Sequence, residues 1–268
     1  MSGASAPLVS VIMPAYNCES CIEDAIRSVI AQTEEDWELL IVDDCSTDAT
    51  AARVEYLAAR ELRIRFVRLS QNGGAAVARS EALRRASGRY VAFLDGDDLW
   101  DRRKLERQLA FMRETGAPFS ATAYDQIDET GRPLSTVCLP PRRTGYRKLL
   151  LLSNPLGNST VMYDQRVLGR FELPRIRRRN DFALWLKLLR VTPCCMGMDE
   201  ILTHYRVRRK NVRSKLALAR YHWRLYREAE QLGVLESVFY LGCWALVKGS
   251  GIGLRRRKRA GGRNCAGK

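Results

Sequence analysis

LLIVDDCSTD (residues 39–48) and YVAFLDGDDLW (residues 90–100) are two apolar runs about fifty residues apart, each ending abruptly in carboxylates. A β-branched and aromatic run that stops at Asp43 and Asp44, or at Asp95, Asp97 and Asp98, is how a buried parallel strand delivers charge to the carboxyl edge of an open α/β sheet. Ligands bind at that edge. Acids gathered there call for a cation or a polar ligand to offset them.

Working outward, strand and helix patterns alternate through the first hundred residues. A strand is expected at Val9 to Met13. A helix follows over Cys21 to Gln32, with Ile22, Ala25, Ile26, Val29 and Ile30 on one face. The second strand, Glu38 to Val42, ends in Asp43 and Asp44, and Ser46 or Thr47 is placed to cap a helix near residues 48 to 60. Arg63 to Arg68 alternate as a third strand. After the turn-like QNGG comes a helix from Ala75 to Ala86, then a fourth strand at Tyr90 to Leu94. Repeated strand–helix–strand units with short right-handed connections require a mostly parallel sheet with helices on both faces. Further on, the pattern predicts a helix at Arg102 to Glu114, a strand at Phe119 to Asp128 and a tight turn at ETGRP. It then predicts a helix at Tyr146 to Leu152, a strand near Ser159 to Tyr163, a helix over Asp181 to Arg190 and an irregular basic segment from Tyr205 to Lys215. Leu218, Tyr221, Leu225, Ala229 and Leu232 recur at helical spacing, and Leu235, Val238, Phe239 and Leu246 extend that pattern into a second helix.

With 268 residues, 46% of them hydrophobic, the chain is long enough for one sizeable core. The formal charge is +15, and residues 255–268 hold seven cations and no acid. Such basicity fits nucleic acid, anionic lipid or a phosphorylated substrate, and charge alone does not separate them. Of the eight cysteines only Cys18 and Cys21 stand in CxxC spacing, and with no second such pair to complete a four-ligand site the pattern points to reduced thiols and away from zinc or a disulfide framework. The chain reaches LVSVIMPAY by residue 8, which reads as a first strand and not a signal peptide. No stretch reaches the roughly 18 to 20 uninterrupted apolar residues that span a bilayer.

In LDGDD, Asp95 and Asp97 point to the same side of an extended backbone, and Gly96 lets a ligand approach closely. Magnesium or manganese takes one or two carboxylates plus substrate phosphates, so this pair suits an ion completed by a diphosphate. The competing reading, a solvated turn or helix cap, accounts for Asp98 and Asp101 but not for the pair. Asp43 and Asp44 equally fit a strand-to-helix turn with a capping hydroxyl.

VSVIMPAYN, QTEEDWELLIVDDCSTDAT, SQNGGAAVARSEALRRASGRYVAFLDGDDLW and RRNDFALWLKLL, in this order, resemble the family-2 glycosyltransferases, in particular bacterial enzymes building surface polysaccharides of the teichuronic-acid and O-antigen type. The resemblance covers residues 7 to 215 and continues loosely to 245. It implies the α/β GT-A fold, a mostly parallel central sheet flanked by helices, with a C-terminal helical extension. It also implies inverting transfer from a nucleoside-diphosphate sugar, without a covalent intermediate and with Mn2+ or Mg2+ as cofactor. Under it Pro14, Ala15, Tyr16 and Asp44 hold the base, uridine by preference. Gly73, Gly74 and Arg79 border the nucleotide, although ARSEA stands here where ARNxG is commoner. Asp95 and Gly96 approach the ribose or the metal, and Asp97 is the principal protein ligand of the ion.

Asp181 matches the family's general base, a carboxylate that takes the proton of the acceptor hydroxyl as it attacks the anomeric carbon. The family's preceding Glu is Asn180 here, so Asp181 stands alone; it also fits an N-cap. Trp185 faces either the acceptor or the core. Asn158, Ser159 and His204 are candidates for the acceptor site. The basic segments Arg175 to Arg179 and Arg206 to Arg213 are either solvated charge or phosphate ligands, with Arg206 the preferred candidate.

The expected organisation is a catalytic domain over 1–215, with a nucleotide-binding half (7–100) and an acceptor half (101–215). Amphipathic helices follow over 216–254, then a disordered basic tail over 255–268. The helices and tail fit an anionic bilayer surface, or a helix pair packed on the domain. That places the protein in the cytoplasm at the inner face of the plasma membrane, acting on a glycan or polyprenyl-diphosphate-linked acceptor and not on nucleic acid. A nucleotidyltransferase, or a silent homologue that binds without catalysis, are the alternatives. The former would carry a Gly-rich basic loop after the first strand, which PAYNCES is not.

Overall fold

The computed structural model describes residues 6–152, 154–174, 176, 178–207, 215–250 and 255–258. Strands β1 (Val9–Ala15), β2 (Trp37–Asp43), β3 (Ile64–Arg68) and β4 (Tyr90–Phe93) are parallel, in the spatial order β4-β1-β2-β3. Helices α1 (Ile22–Ile30), α2 (Thr50–Ala58) and α3 (Ala75–Arg85) are the crossovers. Strict alternation along the strands builds two cores. Val9, Val11, Met13, Leu39 and Ile41 join Ile22, Ile26, Val29, Val54 and Leu105 on one face. Ile12, Leu40, Val42, Val91 and Phe93 join Ala78, Ala82, Phe182 and Trp185 on the other. Both faces of the strands are therefore apolar, as a sheet covered on two sides requires.

The second half continues with β5 (Leu99–Trp100), α4 (Lys104–Thr115), β6 (Phe119–Ile127), β7 (Pro133–Leu139), β8 (Arg143–Thr144) and α5 (Tyr146–Leu152). A 3-10 turn at Asn158–Thr160 leads into β9 (Val161–Asp164) and α6 (Gln165–Leu168). Then come α7 (Asn180–Val191), β10 (Cys195–Arg206), α8 (Lys215–Arg224), a π-helical turn at Leu225–Ala229, α9 (Val234–Ser250) and β11 (Arg255–Lys258). β9 inserts antiparallel between β4 and β6, and β10 runs parallel to β6.

Three expectations need correction. β7 and the twelve-residue β10 are strands that the sequence pattern did not distinguish, because their side chains are only partly buried. Neither Ser46 nor Thr47 caps α2, whose N-cap is Ala49. Ser46 instead bonds the Asp43 carboxylate through both its amide and its hydroxyl, and Asp48 Oδ1 accepts the Thr50 amide at 3.0 Å. The basic end is not wholly unstructured either, since Arg255–Lys258 pair antiparallel with β7, Arg255 opposite Leu139 and Lys258 opposite Thr136. Residues 208–214, most of the predicted irregular basic segment, and 259–268 lie outside the described residues.

Candidate active site

β1, β2 and β4 end at the same edge, Ala15 lying opposite Asp43. Beyond that edge opens a cleft of about 340 Å³. Pro14, Ala15, Tyr16, Asp44, Gly74, Arg79, Asp95, Gly96 and Asp97 line it, all of them candidates from the sequence. Cys18, Asn72, Ala75 and Arg178 complete the wall.

Asp44 is 2% exposed and works as a clamp. Its Oδ1 accepts the Gly73 amide at 2.7 Å and its Oδ2 the Gly74 amide at 2.8 Å. Asn72 adds a bond from Nδ2 to the Asp44 carbonyl. This pins the QNGG loop, with Gly74 at φ +84 as the N-cap of α3, a conformation that costs glycine little. A carboxylate oxygen has two lone pairs, so each retains acceptor capacity toward a ligand. Tyr16 stands at the rim, 49% exposed. Gly96 forms part of the wall: a Cβ there would meet Ile22 Cδ1 at 3.0 Å and Cys18 Sγ at 3.3 Å.

Arg79 links the acids. Its guanidinium, buried against the sheet edge, donates from Nη2 to Asp95 Oδ1 at 2.5 Å and from Nη1 to Asn180 Oδ1 at 2.7 Å. Burial opposes its charge, but Asp95, Asp181 and Asp97 outweigh that and hold its pKa above the usual arginine value. Asn158 Nδ2 also donates to Asp95 Oδ1, at 2.8 Å. Asp181 sits in the first turn of α7, directly after the Asn180 that Arg79 holds, and accepts from Asn154 Nδ2 at 3.1 Å. The carboxylate is only partly buried and follows Arg179, a residue at φ +62.

Beside the cleft, Asp98 is buried, and burial followed by the charges of Asp97 and Asp95 raises its pKa well above the carboxylate range. It accepts from Ser159 Oγ at 2.5 Å and the Arg206 amide at 3.0 Å, tying the 3-10 turn and β10 to the acidic loop.

Several acceptor-site candidates take other positions. Ser159 is 2% exposed and fully engaged: its hydroxyl bonds Asp98 and the Asp95 amide, and its carbonyl takes Trp100 Nε1 at 2.7 Å. Trp185 is fully buried against Phe93 and Phe119, with ring centroids 5.1 and 5.8 Å away, and is core. His204 Nδ1 pairs with Asp125 Oδ1 at 2.6 Å across β10 and β6. Arg206 does not reach the cleft. Its Nε donates to the Asp97 carbonyl at 2.9 Å and its Nη1 to the Glu129 carbonyl at 2.9 Å, which staples the acidic loop to the β6–β7 turn. From the other basic segment Arg178 lines the cleft, as Arg79 does from α3, with the Arg178 guanidinium 5.3 Å from the Tyr221 ring of α8. It belongs to the basic segment flagged in the sequence, three residues before Asp181.

Among the described residues no group of three or more His, Cys, Asp or Glu is placed to hold a metal by itself. A hard cation needs none when substrate phosphates complete its shell. Asp97 and Asp95 line the cleft, and the bonds from Arg79 and Asn158 to the Asp95 carboxylate both fall on Oδ1. The donor set fits Mg2+ or Mn2+.

The family model for glycosyl transferase family 2 matches residues 10–205. The chain belongs to this family. It is 41% identical over 252 residues to TuaG of Bacillus subtilis, described as a glycosyltransferase of teichuronic acid biosynthesis, covering 94% of this chain and 98% of that one. It is 39% identical over 183 residues to WfgD of Escherichia coli, a UDP-Glc:α-D-GlcNAc-diphosphoundecaprenol β-1,3-glucosyltransferase, covering 68% and 70%. Among solved structures, TarS of S. aureus in complex with UDP-GlcNAc matches with a TM-score of 0.66 at 23% identity, over 91% of this chain and 73% of that one. The mannosyltransferase PcManGT of Pyrobaculum calidifontis, in complex with GDP-Man and Mn2+, matches with 0.61 at 19%, over 92% and 75%. These likenesses show the GT-A fold. Family membership makes the chain an inverting glycosyltransferase and decides against the nucleotidyltransferase reading; the relatives named above belong to cell-surface polysaccharide biosynthesis.

Proposed function

We propose that this family-2 glycosyltransferase moves a sugar from a uridine-diphosphate sugar to a glycan carried on a polyprenyl diphosphate, at the inner face of the membrane. The cleft supports the donor. Tyr16 offers a flat ring at the rim, Asp44 presents acceptor oxygens to a ring N–H of the base, and Asp95 lies deeper beside Gly96. Arg178 brings a cation to the place where a diphosphate would lie. Asp97 and Asp95 would hold Mg2+ or Mn2+, which supplies Lewis-acid stabilisation of the leaving diphosphate when bound.

The observation that carries the chemistry is the Arg79 bridge, which holds Asp95 and Asn180, the neighbour of Asp181, with one guanidinium. It sets the base-bearing helix beside the donor. Asp181 takes the proton of the acceptor hydroxyl as its oxygen forms a bond to the anomeric carbon. The bond from that carbon to the diphosphate oxygen breaks, the nucleoside diphosphate leaves with the electron pair, and configuration inverts. The relatives' names supply the acceptor class: WfgD acts on a diphosphoundecaprenol-linked sugar. No helix among the described residues is long and apolar enough to cross a membrane.

The test is transfer, or donor hydrolysis, measured across a panel of nucleotide sugars with manganese. Turnover is expected to vanish with chelator and to fall about 1,000-fold in Asp181→Asn while UDP binding persists. Unchanged turnover in Asp181→Asn removes the base assignment, and absence of turnover with every donor favours a silent binding homologue.

A further inference from the structure

The apolar positions of α9 fall on two different sides. Ser237 and Trp244 are buried, and Tyr240 and Leu241 pack on the main core. Leu235, Val238, Phe239 and Leu246 do not: Leu235 is 85% exposed and Leu246 75%. At 100° per residue these four, with Gly242 and Ala245, occupy one arc of the helix free of charge, about 17 Å long at 1.5 Å rise per residue. A helix on a soluble surface normally turns charged residues outward there, and a contiguous apolar stripe marks an interaction face.

We infer that this stripe docks the enzyme on an anionic lipid bilayer, with α9 lying in the interface plane. Charge selects the occupant. β11 begins five residues after α9 and places Arg255, Arg256, Arg257 and Lys258 in succession, on a chain of net charge +15. A second copy would bring the same cations against each other, whereas an anionic headgroup layer attracts them. Among the described residues no helix, α9 included, is long and apolar enough to cross the bilayer. An amphipathic helix with a basic flank instead lies at its surface.

The docking face is tied to the chemistry through one buried residue. The His222 ring of α8 lies 4.7 Å from the Trp244 ring on the inner side of α9 and 6.2 Å from Phe182, the residue after Asp181. Arg190 of α7 and Tyr146 of α5 both bind the Glu230 carboxylate, at 2.9 and 2.6 Å, before α9 starts. The helix that meets lipid is thus fixed against the helix that carries the base. The inference rests on the lipid-linked acceptor proposed above.

The experiment is flotation of the full chain with vesicles of phosphatidylglycerol and of phosphatidylcholine, comparing wild type with the triple variant Leu235→Glu, Phe239→Glu, Leu246→Glu. Wild type is expected on the anionic vesicles and not on the neutral ones, and the variant is expected to bind about tenfold more weakly or worse. Donor hydrolysis in solution should be unchanged, which keeps failure of docking separate from failure of the catalytic reading. The single variants Leu235→Glu and Leu246→Glu read the same way if the triple variant's melting temperature falls. Wild-type binding by the folded variants overturns the proposal, as does absence of binding to anionic vesicles. A concentration-dependent dimer in sedimentation that these variants abolish would assign the face to a second copy instead.

Discussion

Arg79 Nη2 lies 2.5 Å from Asp95 Oδ1, so a buried cation on α3 holds a carboxylate at the end of β4. The same guanidinium holds Asn180 at 2.7 Å, and this second bond extends the link to the start of α7. A planar guanidinium holds two N–H groups at a fixed spread toward two partners, a geometry that the compact ammonium of lysine lacks. Arg79→Lys is therefore expected to lower kcat about 100-fold with a small change in melting temperature. Arg79→Ala, which strands Asp95 without its cation, costs about 3 kcal/mol of stability as well. Asn180→Ala removes one arm only and should cost about tenfold in kcat. Steady-state kinetics with differential scanning calorimetry separate these outcomes, and wild-type turnover in Arg79→Lys would exclude the spanning role.

Arg178 and Arg206 exchange the roles that their sequence context invites. Arg178→Ala should raise donor KM and lower kcat, together about 100-fold in kcat/KM, at unchanged melting temperature. Arg206→Ala should act through the fold, losing about 2 to 4 kcal/mol because the bonds of a buried guanidinium to the Asp97 and Glu129 carbonyls disappear. A melting temperature that falls for Arg178→Ala and holds for Arg206→Ala would reverse the assignment.

Asp44→Asn replaces one of two acceptor oxygens by a donor that faces a backbone amide. The QNGG loop then loses a charge-assisted bond. UDP affinity by titration calorimetry should fall at least about tenfold, equivalent to one such bond of roughly 1.5 kcal/mol or more. Retained affinity would show that the loop holds without Asp44.

Lys104 is fully buried under the Trp100 ring, with Nζ 3.8 Å from the ring centroid and without a hydrogen-bond partner among the described residues. Burial holds its pKa well below the lysine range. The ring favours the desolvated ammonium by about 2 kcal/mol or somewhat more, whereas desolvation costs several, so burial prevails. Because the folded pKa lies below the unfolded value, the unfolded chain binds the extra proton in between. Stability on this account rises with pH through that window, toward the ordinary lysine pKa of about 10.4. Lys104→Met should raise stability at pH 7 by about 2 kcal/mol, and the gap to wild type should narrow as pH approaches 10. Chemical denaturation across pH 6 to 10 checks both the sign and the slope.

The sequence by itself determined the parallel half of the fold, because Val9–Ala15, Trp37–Asp43 and Tyr90–Phe93 are buried on both faces and read as nearly continuous apolar runs, broken only by residues such as Ser10 and Glu38. It also placed Asp44, Asp95 and Asp97 on one edge, since parallel strands must end together. β7 and β10, partly exposed and rich in polar residues, carried no such signal.

Only the tertiary structure decided which polar residues face the cleft. Ser159 and Arg206 carry the same groups as a ligand-binding residue, but Asp98 and the carbonyls of Asp97 and Glu129 claim them from positions far along the chain. Burial likewise sorted the apolar residues. Trp185 and Leu235 both stand in helical patterns, yet one packs between Phe93 and Phe119 and the other faces outward. Periodicity reports that a helix has an apolar side; what covers that side depends on where the rest of the chain lies.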